Sequence, residues 1–116
     1  MRSTKAFFLI MLVMTSWVFA GVTGKLAGVI RDKDTEEQLA GATIMIPSTW
    51  VDEFQVDMQH PTGAAANDKG QYFILNLEPG YYDVKVMMIG YASELRTRVR
   101  VDADRTTWIN FDIKSV

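Results

Sequence analysis

Apolar and polar side chains alternate at a period of two along most of this chain, most regularly between Asn67 and Val86. Tyr72 and Ile74, then Tyr82, Val84, Val86 and Met88, fall at every second position, so each segment has one face to lay on a core. A polar turn closed by Gly70 precedes the first segment and Pro79-Gly80 separates it from the second, which is the punctuation of an antiparallel meander. The rest of the chain adds strands to this pair.

Lys25 to Arg31 predicts a first strand with Leu26, Val29 and Ile30 apolar, and its Gly28 marks a bulge or a close approach of backbone. Asp32 to Gln38 is a charged connection, expected as a solvated hairpin loop; its carboxylates Asp32, Asp34, Glu36 and Glu37 lack the glycine and spacing of a calcium loop. Ala42 to Ile46 predicts a strand with Ala42, Ile44 and Ile46 on one face, ended by Pro47, which would delete a ladder hydrogen bond. Residues 47–62 are the least regular part, since the apolar positions at 50, 54 and 58 fit a helical face and those at 54, 56 and 58 fit a strand. Gly63 to Ala66, Gln71 to Leu75 and Tyr81 to Ile89 follow as strands, with Asn67 and Gly70 suited to the turn between the first two.

Ser93 to Val101 alternates so that Leu95, Thr97, Val99 and Val101 share one side and Glu94, Arg96, Arg98 and Arg100 the other. In the last strand Thr107, Ile109, Phe111 and Ile113 point inward and Trp108, Asn110 and Asp112 outward. Asp112 is the expected cross-strand partner for the arginine row, whose default role is a solvated face. Seven short strands without a helix indicate an all-β, antiparallel sandwich.

Composition narrows the function. Arg2 and Lys5, the apolar run from Ala6 to Met14 and the small side chains at Val18-Phe19-Ala20 predict a secretory signal over residues 1–20, leaving a domain over 21–116. With no cysteine among its 116 residues, the chain has no disulfide, thiolate metal site, thiol nucleophile or lipidated N-terminal cysteine. Removing the leader takes twelve basic residues to ten against fourteen acidic ones. Such a mildly acidic domain is not expected to bind nucleic acid, whose phosphates call for a basic surface.

Gly24 to Asp32, Glu37 to Ile44, Asp68-Lys69-Gly70-Gln71-Tyr72-Phe73-Ile74, Leu77-Glu78-Pro79-Gly80-Tyr81-Tyr82 and Ile89-Gly90-Tyr91 together resemble the carboxypeptidase regulatory-like domain, from about Gly24 to Lys114. The resemblance implies a transthyretin-like (prealbumin-like) seven-stranded Greek-key β-sandwich. Two departures stand out: Ala66-Asn67 replaces the usual threonine and following turn residue, and residues 47–62 are longer than the family connection, as an inserted loop. The resemblance also implies a non-catalytic accessory domain. Placed directly after a signal peptide, it looks like the N-terminal domain of a TonB-dependent outer-membrane receptor, in the periplasm or outer membrane of a bacterium, with the chain a fragment of a longer product. The alternative is a freestanding secreted module that binds carbohydrate or protein.

No residues are assigned to catalysis, cofactor or metal. His60, the lone histidine, has no partner for general-base work, and Asp102 and Asp104 belong to a turn. Trp50, Phe54 and Trp108 are the candidate partner-binding residues, for a cell-envelope protein or a glycan, because exposed aromatics are enriched where proteins meet partners. The competing expectation is that residues 47–62 fold over an open sheet edge and hide Trp50 and Phe54. Any membrane association would come only through a longer parent chain.

Overall fold

A computed structural model describes residues 22–116, so the signal expected over residues 1–20 lies outside them. Eight strands follow one another: β1 (Gly24–Asp32), β2 (Thr43–Val51), β3 (Phe54–Ala65), β4 (Gln71–Leu77), β5 (Gly80–Met87), β6 (Glu94–Val101), β7 (Thr106–Trp108) and β8 (Phe111–Ile113). One sheet has the order β4-β1-β7, with β8 further along the same side of β1; the other has the order β3-β2-β5-β6. The alternating positions close the space between them: Leu26, Ile30, Tyr72, Ile74, Phe111 and Ile113 from the first sheet meet Ile44, Ile46, Tyr82, Val84, Val86, Val99 and Val101 from the second. Burying each such side chain contributes about 1.5–3 kcal/mol, and the expected sandwich is the result.

The last strand is split because of Gly28. A Cβ there would lie 1.8 Å from the Ile109 carbonyl oxygen, and the Tyr72 hydroxyl donates to that same oxygen at 2.6 Å. The chain dips against β1 at Ile109, whose N–H donates to the Ala27 carbonyl, while Asn110 Oδ1 accepts from the Val29 N–H. The ladder stops and restarts, giving β7 and β8 where one strand is expected, and both run parallel to β1.

Other differences from expectation have local causes. Residues 33–38 do form the expected exposed hairpin turn, with Arg31 bridging Gln38 antiparallel and the Asp32 and Leu39 N–H groups donating to the Glu37 and Ile30 carbonyls at 2.8 and 2.9 Å, and the chain crosses to the other sheet only after it. Asp32 is buried rather than solvated: its carboxylate accepts from the Asp34 and Thr35 N–H groups at 2.8 and 3.0 Å and from the Tyr91 hydroxyl at 2.8 Å. These bonds, that of Thr35 foremost, hold its carboxyl below the ordinary value.

Pro47 does not end its strand. It lies in a β-bulge, where the pairing of β2 shifts between Ile46 and Ser48 against β3 and between Met45 and Ser48 against β5. A bulge is where a strand tolerates proline, since the ladder is already interrupted. Residues 47–62 are therefore strand rather than loop over most of their length. They are the far half of a β2–β3 hairpin turned at Asp52-Glu53, and the same register shift, seen from β3, leaves the residues between Asp57 and Thr62, the exposed His60 among them, without regular partners in β2.

A further bulge breaks the alternation of β6. Tyr82 pairs with Val99 but Val84 with Arg96, so an extra residue is accommodated around Arg98, which has a φ of 54°. Val99, Val101, Arg98 and Arg100 keep their expected sides, whereas Leu95 and Arg96 exchange theirs. Leu95 is 51% exposed, and the Arg96 guanidinium lies 4.8 Å from the centre of the Phe111 ring. Asp112 pairs with Arg31 at 3.3 Å, and Arg100 turns to Asp102 at 2.9 Å, so the arginine row does not share Asp112.

Candidate functional site

β5 sends Tyr82, Val84 and Val86 into the core, so Asp83 between them faces the outer side of its sheet. It is nevertheless 0% exposed, because neighbouring strands fold their side chains over it. The β2 bulge sets Ser48 opposite Asp83 and Trp50 opposite Tyr81 on that outer side. The Asp83 carboxylate accepts from Ser48 Oγ at 2.5 Å, from Trp50 Nε1 at 2.7 Å, from Gln55 Nε2 and from the Arg98 N–H at 3.3 Å. One carboxylate on β5 is thus bonded to β2, β3 and β6, the whole width of the sheet.

No cation contacts this carboxylate among the described residues, so its charge is stabilised by oriented donors. Burial pushes the Asp83 carboxyl up, and the bonds from Ser48, Trp50, Gln55 and Arg98 outweigh it and leave the group below the ordinary carboxylate value. The consequence for Trp50 is orientation. Its N–H is tied to Asp83, and the Arg98 guanidinium stacks 4.2 Å from the centre of its ring. Trp50, Asp52, Tyr81 and Arg98 line an open cleft of about 290 Å³ on this face.

The three aromatic residues singled out in the sequence are not brought together. Trp50 is half-buried on the outer side of the second sheet. Phe54, one register step away, pairs with Val51 and projects from the opposite face of the hairpin, 75% exposed. Neither covers an edge: β3 is itself the edge of its sheet. Trp108, 70% exposed, stands on the outer side of the first sheet, in a row with Ala27 and Phe73, itself 52% exposed.

Asp83 and Tyr81 escape a reading by sequence alone, and Arg98 enters it only as a member of the outward arginine row. An acid between Tyr82 and Val84 in an apolar strand is the one signal that could have drawn attention to Asp83. The contact of Arg98 with Trp50 depends on bulges in two strands and leaves no trace in the alternation. Among the described residues no three His, Cys, Asp or Glu side chains converge as metal ligands.

The model of the carboxypeptidase regulatory-like domain matches residues 25–114. The chain belongs to that family. The motifs of this regulatory-like domain are structural ones. Gly28 admits the Ile109 carbonyl, Asn67 Oδ1 closes its turn by accepting from the Lys69 and Gln71 N–H groups, and Tyr91 ties the chain back to Asp32. Gly70, at φ 71°, donates its N–H to the Asn67 carbonyl.

No curated protein matches this sequence. Solved structures similar to the regulatory-like domain include a candidate carbohydrate-binding protein from Bacteroides uniformis (15% identity, TM-score 0.60, 80% of this chain and 42% of that one). The minor pilin of Streptococcus agalactiae is another (20% identity, TM-score 0.55, 83% of this chain and 46% of that one). A third is a hydroxyquinol 1,2-dioxygenase from Pseudomonas putida (8% identity, TM-score 0.59, 83% of this chain and 57% of that one). The likeness to them is one of fold, and the chain spans about half the length of each.

Proposed function

We propose that this carboxypeptidase regulatory-like domain is an exported, non-catalytic accessory domain of a bacterial cell-envelope protein, specifically the N-terminal domain of a TonB-dependent outer-membrane receptor. The observation that carries the reading is the order of parts: a leader of secretory type over residues 1–20, then this domain at once, with β1 beginning at Gly24. A fold shared with a dioxygenase does not itself argue against catalysis. Membership of the regulatory-like family supports the non-catalytic reading, and the family motifs in this chain serve turns and close backbone contacts.

The DNA downstream of the Val116 codon tests this. A reading frame that runs on into a plug and a series of alternating membrane strands is the expected result; an immediate stop codon in an intact gene overturns the receptor form of the proposal. The exposure of Phe54 and Trp108 favours a second reading, a freestanding module that binds a glycan or an envelope protein. Here Trp50→Ala and Trp108→Ala should each reduce retention on immobilised envelope material, and unchanged retention of both variants removes those residues from the account.

A further inference from the structure

The cleft over Asp83 holds two aromatic walls and two opposite polar groups, and their state defines what would fit. Trp50 and Tyr81 are direct cross-strand partners on the outer face, and both belong to strands rather than to a loop. The Asp52 carboxylate is an acceptor only and the Arg98 guanidinium a donor only. Neither side chain makes a hydrogen bond or ion pair among the described residues, although both line the same cleft. One negative and one positive group side by side give an anion or a cation a repulsive neighbour along with its attractive one. A neutral ring bearing adjacent hydroxyls meets no such penalty: it donates to Asp52, accepts from Arg98 and lays its C–H face on an aromatic wall.

The geometry is set before any ligand arrives. Asp83 fixes the Trp50 indole through its N–H and the Arg98 backbone through its amide, and Arg98 in turn covers one face of Trp50. Side chains ordered in advance lose little freedom on binding. At about 290 Å³ the cleft has room for a single ring rather than an extended chain.

We propose that the cleft lined by Trp50, Asp52, Tyr81 and Arg98 binds a neutral polyhydroxylated ring, the pyranose unit of a glycan. This deepens the reading of the domain as an interaction module and rests on it. The test is ¹⁵N spectroscopy of the purified protein titrated with neutral oligosaccharides of glucose, mannose and xylose, and with an oligomer of glucuronate.

The expected result is a saturable shift of the Trp50 indole N–H and of the Tyr81 and Arg98 amides with a neutral oligosaccharide. Asp52→Gly, which suits the φ of 56° at that position, should weaken this binding about tenfold with the melting temperature unchanged. Tyr81→Ser provides a second variant should the glycine alter the hairpin. Undiminished affinity in both variants overturns the site. So does the absence of a saturable shift with any of the four probes, and preference for the glucuronate oligomer overturns the neutral ligand. Shifts confined to Trp108 and Phe73 overturn this cleft while leaving the interaction-module reading in place, which retention of Trp108→Ala on immobilised envelope material tests separately.

Discussion

At the scale of a residue, Asp83 shows how a polar side chain on the outside of a sheet becomes an interior one. Its four donors come from Ser48, Trp50, Gln55 and Arg98, and hydrogen bonds to a charged acceptor contribute about 1.5–3 kcal/mol each when a partner is removed. Asp83→Asn turns part of the acceptor into a donor facing other donors, so it should cost at least about 2 kcal/mol in urea unfolding at neutral pH. Because the folded-state value of Asp83 is lowered, its stabilisation is complete above the unfolded value of about 3.9 and is lost as pH falls through the folded one. Asp32 is lowered likewise and acts in the same direction. The melting temperature should therefore fall steeply below about pH 4, and less steeply in Asp83→Asn; parallel curves for the two proteins would remove Asp83 from the cause. An outward-facing Asp83 follows from the alternation of Tyr82, Val84 and Val86. That pattern could not show the burial, which comes from three other strands.

At the scale of an element, the pattern held wherever the ladder is regular and failed at bulges. Leu26, Ile30, Ile44, Ile46, Val84 and Phe111 sit where a period of two puts them. One extra residue in β6 reverses Leu95 and Arg96 relative to Val99 and Val101, and Pro47 marks an irregularity inside β2 rather than its end. The long hairpin was ambiguous because its far half carries Val51, Phe54 and Val56 on a face that leaves them exposed, so burial gives no periodic signal there. Gly28 was legible, as a place where backbone approaches backbone. Gly28→Ala should lower stability by about 3 kcal/mol or more, since its methyl meets the rigid Ile109 carbonyl at 1.8 Å. Gly41→Ala, where nothing lies within 4 Å and only the φ of 79° opposes a side chain, should cost about 1–2 kcal/mol. Equal losses for the two in thermal unfolding would contradict the close-approach explanation.

At the scale of the whole molecule, the sandwich was readable because burial of one face per strand is what stabilises a cysteine-free domain of this size. Val84→Ala, at a site with no exposure, should cost about 2–5 kcal/mol, a large part of the roughly 5–15 kcal/mol available to such a domain. A smaller loss in denaturant unfolding would mean a looser centre than the side-chain packing implies. The surface was much less readable. Trp108 emerged as exposed because its strand alternates, but its alignment with Ala27 and Phe73 requires knowing that β4 and β7 flank β1.

The parallel course of β1 beside β7 and β8 has a mechanical corollary. Lys25 lies beside Thr106 at one pole and Asp32 beside Ile113 at the other, so the chain enters and leaves at opposite poles. A tug on the two termini drags these strands past each other lengthwise, and their bonds must rupture as a group instead of unzipping singly.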